Sequence, residues 1–194
     1  ADLSGEVRKG LTDTLLAATA AWGNYGPVEY WVLGTDPDAA KDLAALLCKR
    51  RIQLGHWDES DCIRQQAASN ADHGFESYRR VGAEAVANKR PSTSMGWNGN
   101  REWGIHFYTS SYPLGFDSRF GSSPGMEQKT VFHEYFHAVQ QAHIQTRDHG
   151  ERVRLMGPMW FAEGGAEYMA QTATRQLWAT GKLAIIDNDR VDSV

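Results

Sequence analysis

His133, Glu134 and His137 stand in one short run, His133-Glu134-Tyr135-Phe136-His137, inside a stretch of mostly good helix formers. Four residues on an α-helix turn the chain by about 400°, so the two imidazoles share a face and lie one above the other. Two nitrogens placed in this way can share one tetrahedral Zn2+, the cofactor to which this spacing points. Glu134 falls about 100° round the helix, beside the metal but off the ligand line. A carboxylate there can take a proton from an attacking water and later hand it to a leaving amine. The chemistry expected is hydrolysis of a peptide bond with Glu134 as general base. The blander alternative is a pair of helix histidines satisfied by hydrogen bonds in a core.

Two residues compete to be the third ligand. His143 lies ten residues after His133, which is the spacing of the metzincin pattern HExxHxxGxxH. In that pattern a glycine breaks the helix, and here the position is Gln140, in the run Ala138-Val139-Gln140-Gln141-Ala142. If the helix continues, His143 is turned about 240° from His137 and faces away. It is expected to be a helix-end residue with no metal role.

The other candidate is Glu163. The segment Trp160-Phe161-Ala162-Glu163-Gly164-Gly165-Ala166-Glu167-Tyr168 resembles the W-x-x-E-G-x-A-E-Y stretch of gluzincin zinc peptidases, particularly the peptidase-MA-like group. The resemblance covers about residues 126–180, with 25 residues between His137 and Glu163. It implies that Glu163 is the third zinc ligand. It also implies that Glu167, four residues on, hydrogen-bonds His133 or His137 and raises its basicity. The alternative for Glu167 is a surface glutamate on a helix. Many gluzincins close the cleft with a larger C-terminal subdomain that supplies an oxyanion partner, whereas 31 residues follow Glu163 here. His149, Tyr168 and Arg175 are available for that role, and the sequence singles out none of them.

The elements that must position these residues are mostly helical. Apolar spacing predicts helices over 3–22, from Asp36-Pro37 to about Arg50, over 77–88, and over about 126–145 and 159–180. Val131, Phe132, Tyr135, Phe136 and Val139 give the His133 helix an apolar surface for burial. Val28–Leu33 and Trp103–Ser110 read as strands, with loops over 91–101 and 111–125. The fold class expected is α+β: one domain over 1–194, mainly helical with a small sheet, and a zincin-like active-site helix followed by a glutamate-bearing helix. The resemblance makes the strand at 103–110 a candidate for the edge strand that gluzincins place above the metal, the alternative being that its aromatic positions simply pack on the helices. A peptide or protein substrate could add to it through backbone hydrogen bonds.

Composition narrows the partners. The net charge of −4 gives no electrostatic footprint for nucleic acid or an anionic membrane. Basic groups such as Lys49-Arg50-Arg51 and Arg79-Arg80 sit in helical patterns and read as solvated faces. No run approaches the roughly 18 apolar residues of a transmembrane helix. Cys48 and Cys62 are the only cysteines, and a disulfide between them is expected, which leans toward a secreted or extracytoplasmic home. Two further functions compete with the peptidase reading. One is a catalytically inactive gluzincin-like binding or scaffolding protein that retains zinc. The other is a zinc hydrolase acting on a non-peptide amide or ester.

Overall fold

A computed structural model describes residues 5–25, 28–33, 38–53, 59–67, 74–88, 95–97, 106–111, 124–144, 146 and 148–184. These residues form a mainly helical domain. In chain order the elements are α1 (Gly5–Trp22), β1 (Val28–Leu33), α2 (Ala39–Gln53), α3 (Glu59–Ala67), α4 (Phe75–Asn88), β2 (Met95–Trp97), β3 (His106–Ser111), α5 (Pro124–Ala142), α6 (His149–Met156) and α7 (Met159–Ala179). The helices α3 and α6 lie in stretches where the sequence reading placed no element. The expected Asp36-Pro37 helix start lies outside the described residues.

Of the strand expected at 103–110, the described residues are those of β3, His106–Ser111.

Helix α5 is the centre of the packing. Phe132, Tyr135 and Val139 bury against Ala18 of α1 and against Ala170, Ala173 and Trp178 of α7. On its other flank Val131 joins Val7 and Leu11 of α1. The indole of Trp22 packs edge-on to Phe132 and Phe136 at centroid distances of 5.3 and 5.1 Å. Tyr135 also donates its hydroxyl to the Gly23 carbonyl at 2.6 Å. That carbonyl lies at the end of α1, where Gly23 takes a positive φ of 96° and closes the helix in the way that favours glycine. Removing about half of such an aromatic cluster would cost several kcal/mol, so α5 is held on a rigid bed.

The partner helix α7 presents small residues toward α5. Ala166, Ala170, Ala173 and Thr174 are buried at helical spacing, which lets the two backbones approach closely. Lys129, early on α5, meets Glu167, while Gln140, late on α5, meets Ala162. The helices therefore run antiparallel, and the middle of α5 faces the first two turns of α7.

A second cluster, Leu33, Ala40, Ala44, Leu47, Phe75 and Tyr78, joins β1 to α2 and α4. Cys48 of α2 and Cys62 of α3 form the expected disulfide, with Cα atoms 5.6 Å apart. Among the described residues, no helix is long and apolar enough to cross a membrane.

Candidate metal centre

His133 and His137 project from the middle of α5 and Glu163 from the second turn of α7. Nε2 of His133 lies 3.2 Å from Glu163 Oε2, and Nε2 of His137 lies 3.5 Å from the same oxygen. A tetrahedral Zn2+ with bonds of about 2.0–2.1 Å spaces its ligand atoms about 3.3 Å apart. The two separations to the Glu163 oxygen match that edge length, so this carboxylate stands at coordination spacing from both imidazoles. Among the described residues, His133, His137 and Glu163 form the group able to hold a metal ion, with all ligand atoms within 4.8 Å of one another.

The other nitrogen of each imidazole is engaged away from this point. His133 Nδ1 lies 3.1 Å from Glu167 Oε2, and His137 Nδ1 lies 2.8 Å from Gln140 Oε1. With the proton held at Nδ1 by such an acceptor, each ring would turn its Nε2 lone pair toward a cation shared with Glu163. Glu167 is itself anchored, because its Oε1 accepts from Lys129 Nζ at 2.6 Å and from Gln171 Nε2 at 2.9 Å. Burial raises the Glu167 pKa, but these two hydrogen bonds and the Lys129 charge outweigh it, so the carboxyl titrates below its ordinary value. Burial also lowers the His137 pKa, against the opposing pull of Gln140 and Glu163, and a neutral imidazole is the form that binds metal.

Glu167→Ala is expected to weaken zinc binding about 10–100-fold, the usual cost of losing an outer partner of a ligand histidine. Chelator competition would measure this. Wild-type affinity in the variant would reduce Glu167 to a surface residue.

Glu134 is buried beside the ligand line on α5. Burial, with the nearby Glu163 carboxylate adding to it, raises its pKa to about 8. A divalent cation held by His133, His137 and Glu163 would act in the opposite direction, cancelling the Glu163 charge and favouring the Glu134 carboxylate. In the metal-free protein the folded pKa exceeds the unfolded one, so the folded state retains a proton that the unfolded state releases. The stability from this group is fully present in acid and is lost as pH rises through about 8. Denaturant midpoints of chelated protein should therefore fall as pH rises from about 4.5 to about 8, and Glu134→Gln should flatten that fall. The same fall in the variant would assign it to other groups.

The remaining sequence candidates lie elsewhere. α5 ends at Ala142, and His143 is an exposed residue whose ring packs against Tyr25 at a centroid distance of 5.7 Å. Tyr168 is exposed and lies about 140° round α7 from Glu163. Arg175 is twelve residues past Glu163 on the same helix, about 18 Å along its axis. His149 opens α6. Gln140, Lys129 and Gln171 were not singled out from sequence as site residues, although Lys129 stands one helical turn before His133 on the same face.

Comparison with protein-family models, with curated proteins and with solved structures finds no significant match to this chain.

Proposed function

We propose that this chain is a zinc-dependent peptidase of gluzincin type, with His133, His137 and Glu163 as the zinc ligands and Glu134 as the general base. One observation carries the reading: one Glu163 carboxylate oxygen lies at the edge length of a zinc tetrahedron from both Nε2 atoms, while both Nδ1 atoms are hydrogen-bonded elsewhere. Two imidazoles and one carboxylate are a donor set that suits zinc and leaves its fourth position to water or substrate. A bound Zn2+ would supply Lewis acidity toward a water and toward the carbonyl of the bond to be cut.

The protein's own groups supply the rest. Glu134 takes the proton from the attacking water and returns it to the departing nitrogen, so one side chain serves both halves of the reaction. Glu167, held by Lys129 and Gln171, keeps His133 in its metal-binding tautomer. The Glu163 side chain is 54% exposed, so a substrate can reach the site from solvent.

A small sheet ahead of the site fits the same reading. It is supported by the backbone register that sets Val28 opposite His106 and Met95 opposite Ser110, in the order β1-β3-β2. In that order β2 is an outer strand, antiparallel to its neighbour and close to α5. An extended peptide would then add along β2 rather than along 103–110, through main-chain hydrogen bonds. The Cys48–Cys62 disulfide fits an oxidising compartment, which supports a secreted or extracytoplasmic enzyme.

The test is a library of unstructured peptides incubated with zinc-loaded protein and read by mass spectrometry. The reading predicts new fragments that disappear on chelation and return with zinc. If zinc binds and no peptide, ester or short amide is cut, the scaffold reading takes its place.

A further inference from the structure

We infer that Gln140 is a positioning residue that locks His137 to the helix carrying Glu163; the inference rests on the metal-site reading above. Gln140 lies one turn past His137 on α5 and makes two contacts of different kinds. Its Nε2 donates to the Ala162 carbonyl at 2.9 Å, and its Oε1 lies 2.8 Å from His137 Nδ1. A backbone carbonyl only accepts, so the end of the amide that meets Ala162 has to be the NH2 group. That choice fixes the amide's orientation and turns its oxygen toward His137. An oxygen also only accepts, so the His137 proton resides on Nδ1 and the Nε2 lone pair is turned toward Glu163.

One side chain thus sets the tautomer of the second ligand and holds the main chain of α7 at the residue just before the third. A Cβ at Gly165 would lie 3.4 Å from Gln140 Nε2, an ordinary contact, so the amide lies directly against the backbone of α7 there. Glu167 does the corresponding work for His133, from α7 toward α5. Gln140 reaches the opposite way, so the two ties cross between the helices.

Two substitutions separate the two contacts. Gln140→Met keeps the length of the side chain and removes both hydrogen bonds, whereas Gln140→Glu keeps the acceptor for His137 and removes the donor to Ala162. The readouts are zinc affinity by chelator competition and the imidazole nitrogen chemical shifts of His137 in metal-free protein. Gln140→Met should lower zinc affinity about 10–100-fold and move the metal-free His137 proton off Nδ1. Gln140→Glu should retain the Nδ1–H signature and recover part of the affinity. Wild-type affinity in Gln140→Met would overturn the inference while leaving the metal site standing. So would an affinity loss with an unchanged tautomer and no recovery in Gln140→Glu, since that pattern describes packing alone. Failure of the wild-type protein to bind zinc would overturn the metal-site reading and this inference with it.

Discussion

Glu134→Gln should bind zinc as the wild type does and hydrolyse peptides at least about 10²–10⁴-fold more slowly, the typical contribution of a positioned general base. Glutamine keeps the shape of the side chain and cannot accept a proton from the attacking water. Glu134 stands on the buried side of the ligand line and contributes no atom to the three-residue metal group. The substitution therefore separates catalysis from metal binding. The comparison has to be made at equal zinc occupancy, with the peptide library read side by side for both proteins. Fragments produced equally by both would remove Glu134 from the reaction and point to a contaminating peptidase or to a different base.

The second large effect concerns the ligands themselves. His133→Ala and His137→Ala should abolish stoichiometric zinc binding, and Glu163→Ala should weaken it by more than the about 10–100-fold expected of an outer partner. Each removes a donor from a group whose atoms are already held at coordination distance. His143→Ala should leave zinc affinity nearly unchanged, because the residue follows the end of α5 and its ring packs on Tyr25. Metal analysis after gel filtration would show the difference. A collapse of affinity in His143→Ala with Glu163→Ala unaffected would mean that α5 breaks near Gln140 in the loaded protein and that the site is metzincin-like.

The parts of this site that were legible in the sequence are those set by local periodicity. The four-residue spacing of His133 and His137 places them on one helix face whatever the rest of the chain does. Phe132, Tyr135 and Val139 could be read as the buried face of the same helix, and they are buried. Glu163 and Glu167 needed more, because nothing local says that their helix lies against α5. The resemblance of Trp160–Tyr168 to a known pattern supplied that, and the Ala166, Ala170, Ala173 stripe is its physical basis.

Gln140 shows the limit. In sequence it is a helix former where a metzincin would have glycine, and its role exists only once Ala162 is brought within 2.9 Å by the packing of α7. The short helices were missed for a related reason. α3 is a nine-residue run of mostly polar residues, tied to α2 through Cys62, so its order is tertiary rather than local. α6 is eight residues long and is set by its cap, with the Asp148 side chain accepting from the Glu151 N–H at 2.6 Å.

The most direct test of the metal site is zinc X-ray absorption on protein loaded with one equivalent of Zn2+. The account predicts two imidazole nitrogens and carboxylate oxygen at about 2.0–2.1 Å, with no sulfur. It also predicts loss of one imidazole from the signal in His137→Ala. A spectrum of hydrated zinc, or one identical in wild type and His137→Ala, would contradict it.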